Sequence, residues 1–176
     1  LQLDADLVNR DRLIEVMNRA DEVPLTLVSA PAGYGKSVLV AQWAEKLDSR
    51  IAWLSLDASD SDPRVFLQYF LAAVDTVSPG ACDATSELVT AGSLAPVPVL
   101  AGYLLNDLDA IDAPCSIVLD DYHRIDLLSP VHDLMVRMFE HPPAQFHFVI
   151  ATRQDPPFDL SSLRAGHRIN EVRLRD

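Results

Sequence analysis

Short apolar runs alternate along the chain with longer segments whose apolar residues recur every three to four positions. The short runs have the length of β-strands. They span Leu25–Ser29, Ile51–Leu56, Ser116–Asp121, Phe146–Ala151 and Ile169–Leu174. The longer segments predict amphipathic helices. They cover residues 10–20, 37–47, 63–74, 99–111, 130–140 and 161–165. Strands separated by helices predict an α/β fold in which a five-stranded parallel sheet carries helices on both faces.

The helical spacing also predicts which side chains face the core. In the helix over residues 99–111 the expected inward set is Leu100, Tyr103, Leu104, Leu108 and Ile111, with Asn106 near the same face in a structural role. His132 and His141 are expected on the helix surface. Residues 78–98 are rich in Pro, Gly, Ser, Ala and Thr, and they predict a mobile surface connection with at most one short helix, around Glu87.

An acidic segment, residues 57–62, follows the second predicted strand. Its last residue, Asp62, precedes Pro63, and this pair favours the start of a helix. A calcium loop would also need a bridging Gly and a terminal bidentate Glu, which this segment lacks. We therefore expect a solvated loop that ends in a helix cap.

Composition narrows the class of protein. The 176 residues suit one α/β domain, and we expect residues 1–176 to form a single domain. Because the sequence does not begin with Met, we also expect it to be a fragment of a longer chain. The formal net charge of −12 disfavours direct nucleic-acid binding by a basic face. The two cysteines, Cys82 and Cys115, have no metal-ligand spacing and are typical of a reduced, cytoplasmic protein. No apolar run is long enough to span a membrane.

The segment Ala30–Ser37 has the layout of a phosphate-binding P-loop, because an apolar strand precedes it and a helix follows it. Its glycines allow successive backbone N–H groups to face one anion, and the helix N-terminus adds its positive end. Lys36 is expected to reach the β- and γ-phosphates of a nucleotide, and the Ser37 hydroxyl to ligate Mg²⁺. The backbone set expected at the nucleotide comprises Ala32, Gly33, Tyr34, Gly35, Lys36, Ser37 and Val38. Ala30 stands where the general motif has Gly, and a modest adjustment of the loop accommodates it.

Polar residues follow two later strands at their carboxyl ends, which is the edge where open α/β sheets bind ligands. Asp120 and Asp121 end the third predicted strand, where Asp120 is suited to position Mg²⁺ and Asp121 to orient or deprotonate the attacking water. Arg153 follows the fourth strand and fits a sensor of the γ-phosphate. It could instead pair with Asp120, Asp121 or Asp155. His123 lies close enough to reach the site but is expected to be a structural or surface residue.

These stretches resemble the nucleotide-binding domain of the STAND ATPases, in the branch typified by the maltose-regulon activator and the large ATP-binding LuxR-type regulators. The resembling segments are residues 27–37, Trp53–Asp57 with Asp62-Pro63, Val118–His123 and Ala151–Pro157. Val8-Asn9-Arg10 resembles the short N-terminal motif of the class, with Asn9 where Gly is more usual. Ala30 matches this branch.

The resemblance implies a P-loop NTPase three-layer sandwich with the strand order 5-1-4-3-2. It implies that Arg10 lies near the adenine or ribose, Asp120 serves Mg²⁺, Asp121 is the second acid of the class and Arg153 senses the γ-phosphate. It also implies an ATP- and ADP-binding, slowly hydrolysing switch domain of a transcriptional regulator. ATP would favour self-association, and a C-terminal helix-turn-helix outside this chain would contact DNA.

Two other functions remain open from the sequence. A P-loop small-molecule kinase usually carries a mobile lid with arginines, whereas residues 78–98 contain neither Lys nor Arg. A nucleotide-free interaction scaffold would not need Lys36, Ser37, Asp120, Asp121 and Arg153 together, because packing alone does not require polar groups at all these strand tips.

Overall fold

The computed structural model describes residues 11–18 and 23–173, which form five strands and seven α-helices. The strands are β1 (Leu25–Ser29), β2 (Arg50–Ser55), β3 (Cys115–Asp120), β4 (Phe146–Thr152) and β5 (Ile169–Arg173). The helices are α1 (Asp11–Met17), α2 (Lys36–Ala44), α3 (Pro63–Asp75), α4 (Asp83–Thr90), α5 (Val97–Asp109), α6 (Val131–Glu140) and α7 (Leu160–Ala165). Two short 3₁₀ helices, Ala58–Ser61 and Tyr122–Arg124, follow β2 and β3.

All strand pairs are parallel, and the sheet order is β2-β3-β4-β1-β5. This is the predicted order 5-1-4-3-2 described from the opposite edge. The order places β1 in the interior of the sheet, so the loop after β1 lies between the carboxyl ends of β4 and β5.

Buried residues divide into two clusters, one on each face of the sheet. The larger cluster joins alternate strand residues such as Ile117 and Phe148 to α3, α4, α5, α6 and α7. The smaller cluster joins Val118 and Val149 to α1 and α2. Successive strand residues therefore face opposite clusters, as expected for a strand covered on both sides. The predicted three-layer α/β fold with helices on both faces is confirmed.

Helix α3 begins where the sequence predicts it. The Asp62 carboxylate accepts hydrogen bonds from the backbone N–H groups of Arg64 at 2.8 Å and Val65 at 3.3 Å, and Pro63 is the first helical residue. The residues before it form a 3₁₀ helix rather than an open loop. The Asp57 carboxylate accepts a hydrogen bond from the Asp60 backbone N–H, and the Asp60 carboxylate accepts one from the Asp57 backbone N–H.

Residues 83–90 are more ordered in the fold than a surface connection would be. They form α4, in which Thr85 and Val89 are buried. The Asp107 carboxylate on α5 accepts hydrogen bonds from the Thr85 N–H at 2.9 Å and its hydroxyl at 2.6 Å. Arg64 on α3 donates to the carbonyls of Val89 and Ala91 at the end of α4. The short helix predicted around Glu87 is therefore confirmed as α4, but these bonds tie it to both neighbouring helices, so it is a packed helix and not part of a surface connection.

Several residue-level predictions are also wrong. Tyr103 is 45% exposed rather than inward, and Asn106 is exposed. The stripe that α5 buries is narrower than expected and consists of Leu100, Ala101, Leu104 and Leu108. His132 is buried, not on the surface, whereas His141 is exposed as predicted.

Some predicted boundaries shift by one or more residues. Helix α2 ends at Ala44, before the predicted Leu47. The predicted first helix, residues 10–20, is described only over 11–17, with a 3₁₀ residue at 18, and its predicted ends lie outside the described residues. The last residue of the predicted fifth strand, Leu174, also lies outside them.

Within residues 11–18 and 23–173, no helix has the length and hydrophobicity needed to cross a membrane.

Candidate nucleotide site

The loop between β1 and α2 has the backbone conformation that its glycines predict. Gly33 and Gly35 have φ angles of 84° and 71°, in the left-handed region that favours glycine. Ala30 is not among the positive-φ residues, and its N–H donates to the Thr152 carbonyl at 3.2 Å. Glycine is therefore not required at position 30, which explains why an alanine fits there.

Lys36 opens α2 and folds back over its own loop. Its ammonium donates to the carbonyls of Ala30 at 2.9 Å and Pro31 at 3.1 Å, and the residue is only 7% exposed. Burial is the main cause that lowers the pKa of Lys36, and the positive charge of Arg153 lowers this pKa further. The carboxylates of Asp121 and Asp120 act in the opposite direction. Lys36 therefore lies close enough to Asp120, Asp121 and Arg153 for their charges to affect its pKa.

Asp120 and Asp121 are adjacent in sequence but lie in different environments. Asp120 ends β3, is 7% exposed, and accepts a hydrogen bond from the Asp121 N–H at 2.9 Å. Asp121 has a left-handed backbone with φ 56° and ψ 34°. Its carboxylate lies 3.8 Å from His123 Nδ1 and 4.0 Å from Arg124 Nε. One carboxylate is therefore buried at the strand end, and the other is half-exposed beside two basic groups.

His123 belongs to the same edge of the sheet. Its Nδ1 atom is buried and has no hydrogen-bond partner among the described residues. Burial lowers the pKa of His123, with Asp121 opposing this effect and the charges of Arg153, Arg124 and Lys36 adding to it. A neutral imidazole is the form that this environment favours. This position agrees with the expectation that His123 can reach the site, and its structural role stays a prediction.

Arg153 follows β4, and its side chain is exposed. Its neighbour Thr152 is aligned with Ser29 at the end of β1, so Arg153 lies at the same edge of the sheet, and its charge lowers the pKa of both Lys36 and His123. In the described part of the chain, no ion pair joins Arg153 to Asp120, Asp121 or Asp155. The carboxylate of Asp155 is held instead by Arg173. The pairing considered as an alternative role for Arg153 is therefore not observed.

The structure brings most predicted site residues together. Ala32, Gly33, Tyr34, Gly35, Lys36, Ser37 and Val38 form the loop and the first turn of α2, and Asp120, Asp121 and Arg153 lie at the ends of β3 and β4. Arg10 lies outside the described residues. Among residues 11–18 and 23–173, no cluster of three or more His, Cys, Asp or Glu side chains could hold a metal ion by itself.

These residues fit a bound Mg²⁺–nucleotide. The Ser37 hydroxyl and the Asp120 carboxylate are oxygen ligands of the kind Mg²⁺ uses when phosphates supply the rest.

A cleft of about 400 Å³ lies at the opposite end of the sheet, lined among others by Pro24, Pro114 and Phe146. It contains none of the predicted site residues, and we place the site at the strand tips because the charged groups converge there.

Sequence reasoning missed the ion pairs that surround this edge. Glu171 and Arg173 lie on β5, and Arg173 contacts both Glu171 and Asp155. The signal was present in the alternation of β5, since residues two apart on a strand point to the same side. The pairing with Asp155 required the strand order, because Asp155 follows β4 and not β5.

Comparison with known proteins decides the relationship of this chain. The HTH-type transcriptional regulator MalT of Yersinia enterocolitica is 33% identical over 168 residues, which are 96% of this chain. MalT of Yersinia pestis matches with the same identity and coverage. Over this stretch the chain is homologous to MalT, and in that sense it is MalT-like. It spans 18% of the length of these relatives. No protein-family model matches it.

Solved structures support the fold of the MalT-like domain. A STAND protein with a tetratricopeptide repeat sensor from Pyrococcus horikoshii superposes with a TM-score of 0.63 and 15% identity, over 98% of this chain and 24% of that one. Cdc6p from Pyrobaculum aerophilum gives a TM-score of 0.59 and 12% identity, over 97% of this chain and 46% of that one. At these identities the likeness establishes the P-loop NTPase fold.

Proposed function

We propose that this MalT-like domain binds ATP and ADP with Mg²⁺ and acts as a slowly hydrolysing switch in a transcriptional regulator. The observation that carries the proposal is that Lys36, Asp120, Asp121 and Arg153 stand at or just beyond the carboxyl ends of three adjacent strands, beside a loop with two left-handed glycines. Each of these groups has a distinct use in phosphoryl transfer, and a packing role would not require all of them at one edge.

The loop and α2 would bind the phosphates. The N–H groups from Ala32 to Val38 would donate to the phosphate chain, and the first amides of α2 suit this role because they have no acceptor within the helix. The ammonium of Lys36 already lies at the loop, where it bonds two backbone carbonyls. Binding would exchange these carbonyl contacts for phosphate oxygens, which are stronger acceptors because they are charged.

The acids and Arg153 would act on the terminal phosphate. Ser37 and Asp120 would hold Mg²⁺, which neutralises charge on the phosphates when bound. Asp121 would orient or deprotonate the attacking water, because its carboxylate is more exposed than that of Asp120. Arg153 would contact the γ-phosphate. For Arg10, which lies outside the described residues, we propose a contact with the adenine or ribose.

The relatives support the wider role. They are named HTH-type transcriptional regulators, and this chain corresponds to 18% of their length. We propose that residues 1–176 form one nucleotide-binding domain of such a regulator in the cytoplasm, with DNA contact made by a helix-turn-helix elsewhere. ATP-dependent self-association of the whole protein is part of this proposal. The net charge of −12 is consistent with a domain that does not itself bind DNA.

Helix α4 argues against the alternative function of a small-molecule kinase. A phosphotransferase lid has to move and usually supplies arginines to its substrates. Residues 78–98 contain neither Lys nor Arg, and α4 within them is tied to α3 and α5 by partly buried hydrogen bonds. The described region therefore provides a packed helix where a kinase would need a basic lid.

Replacing Lys36 with Ala tests nucleotide binding directly. We expect Mg²⁺–ATP affinity to fall on the order of 100-fold, because several charged hydrogen bonds to phosphate are lost. Isothermal titration calorimetry measures the dissociation constants, and thermal unfolding verifies that the variant is folded. The matched control is Lys46→Ala, because Lys46 is an exposed lysine just beyond the other end of the same helix. Equal affinity in Lys36→Ala and the parent chain would refute the assignment.

A further inference from the structure

The turn after β4 contains Arg153, and hydrogen bonds to other residues hold both of its ends. At the first end, the buried hydroxyl of Thr152 donates to the Gln154 carbonyl at 2.7 Å. The Thr152 carbonyl also accepts the Ala30 N–H of the P-loop. At the other end, the Asp155 carboxylate meets the guanidinium of Arg173 on β5. The sensor candidate thus lies between two fixed points, one of which belongs to another strand.

The contact between Asp155 and Arg173 has two parallel hydrogen bonds. Arg173 Nη1 lies 2.9 Å from Asp155 Oδ1, and Nη2 lies 3.1 Å from Oδ2. The Ser29 hydroxyl, at the end of β1, adds a longer bond to Asp155 Oδ1 at 3.4 Å. Such a two-pronged contact fixes orientation as well as distance, because both partners are planar. We call this pair the Asp155–Arg173 clasp.

The Arg173 side chain is also oriented by a second acidic residue, Glu171. Its Nε and Nη2 atoms lie 3.1 and 2.6 Å from Glu171 Oε1. Arg164 on α7 holds Glu171 through two further bonds of 2.7 and 2.9 Å. These contacts hold the pKa of Glu171 at about 2, with the hydrogen bond from Arg164 as the largest cause. Glu171 therefore stays charged near neutral pH and keeps Arg173 oriented.

The strand register places the clasp across the end of the P-loop strand. Ser29 is aligned with Thr152 of β4 on one side and with Arg173 of β5 on the other. The clasp therefore joins the two neighbours of β1 above the point where the P-loop begins. Arg153 lies inside this bridge, makes no ion pair with Asp155, and acts electrostatically on Lys36. The clasp leaves the Arg153 guanidinium available to a ligand.

We infer that the Asp155–Arg173 clasp positions Arg153 for the terminal phosphate of the nucleotide. Asp155 and Arg173 are positioning residues in this inference, and neither needs to touch the ligand. The inference rests on the proposed function. It adds that discrimination between ATP and ADP depends on a residue of β5, which lies two strands away from β4.

The consequence can be measured as a ratio of affinities. Arg153 would contact only the terminal phosphate, so a displaced turn weakens ATP binding and spares ADP binding. Calorimetry with Mg²⁺ and either ADP or the non-hydrolysable β,γ-imido analogue of ATP gives this ratio for the 176-residue chain. We expect Arg153→Gln to lower the preference for the ATP analogue by about tenfold. Asp155→Asn is expected to lower it by about threefold to tenfold, with ADP affinity unchanged.

A double variant separates positioning from a general loss of structure. In the Arg153→Gln background, Asp155→Asn should produce no further loss, because the residue that it positions is already gone. The matched control is Arg168→Gln, because Arg168 is exposed and its guanidinium bonds the Glu140 carbonyl, away from the clasp. That control is expected to keep the nucleotide preference of the parent chain.

Different results would overturn different statements. If Arg153→Gln reduces the preference and Asp155→Asn does not, or if the two effects add, the clasp does not position Arg153 and the proposed function stands. If Arg153→Gln has no effect, Arg153 is not the sensor and the inference falls with that role, while nucleotide binding through Lys36 is judged separately. If the parent chain binds neither nucleotide, the proposed function and the inference both fail.

Discussion

At the scale of single residues, the different environments of Asp120 and Asp121 depend on backbone conformation. A left-handed backbone at a residue with a Cβ atom costs on the order of 1–2 kcal/mol, and Asp is one of the residues that tolerate it best. The turn at Asp121 directs its N–H to the Asp120 carboxylate and leaves its own carboxylate beside His123. Two identical side chains thereby acquire different exposure and different neighbours.

This difference predicts the behaviour of Asp121→Asn. Hydrolysis of ATP should slow on the order of 100-fold, because a general base of this kind contributes at least that much. Binding of Mg²⁺–ATP should change little, since phosphate and metal contacts remain. Single-turnover phosphate release and calorimetry measure the two quantities, and Asp133→Asn on the exposed face of α6 is the control. Unchanged turnover in the full-length protein would remove the catalytic role of Asp121.

The residue scale is also where sequence reasoning was weakest. His132 was expected on the surface because it is polar, but its ring contacts the Tyr122 hydroxyl at 3.0 Å and the Asp126 carbonyl at 2.9 Å. Both partners come from the segment after β3, so the helical pattern of α6 could not reveal them. Tyr103 is expected inside because it borders an apolar stripe, yet it is exposed, because α4 and α6, the helices packed against α5, do not cover it. Periodicity locates a face, but neighbouring elements decide how wide the buried face is.

At the scale of elements, starts and ends were predictable where local chemistry determines them. The Asp62-Pro63 pair specifies the first turn of α3 through bonds within the segment itself. Strands β1 to β4 were recognisable because burial on both faces demands nearly continuous apolar residues, whereas β5 was recognisable from its alternation of apolar and polar residues. Helix α4 was less visible, since its order depends on Arg64 and Asp107 from other helices. A helix that is ordered mainly by contacts with other elements has a weak sequence pattern of its own, and is therefore harder to predict.

The cap of α3 gives a prediction at this scale. Asp62→Ala removes the acceptor of two backbone N–H groups, and we expect the free energy of unfolding to fall by about 1 kcal/mol. Urea denaturation followed by circular dichroism measures the change. Asp62→Asn keeps a side-chain oxygen acceptor and should retain most of the stability. A loss of the same size in both variants would show that charge, and not capping, is what Asp62 supplies.

At the scale of the whole molecule, the sheet order brings the site together. The apolar runs predicted a parallel sheet, but the order itself came from the resemblance to STAND ATPases and is confirmed. Local pattern cannot define strand order, since it contains no information about which buried strands are neighbours. The clasp was for the same reason beyond prediction from pattern alone, because Asp155 and Arg173 meet only when β4 and β5 flank β1.

The net charge of −12 gives a prediction for the whole domain. The chain should show no binding to a fluorescent DNA duplex below about 100 μM protein at about 0.15 M salt, since it is acidic overall. Fluorescence anisotropy is the measurement. Lowering the salt to about 0.02 M serves as the control, because weaker screening strengthens repulsion between like charges. Tight, sequence-specific binding by this chain would contradict the assignment of DNA contact to another part of the regulator.

The interior position of β1 also determines when the phosphate-binding edge can form during synthesis. β1 is the first of the five described strands, yet its two sheet neighbours, β4 and β5, are the last two. On a translating ribosome, the apolar β1 segment therefore emerges long before either partner exists. Contacts between distant segments form slowly, because closing a long loop lowers the entropy of the chain. The nucleotide edge becomes native late, and β1 is a segment that chaperones would meet exposed on incomplete chains.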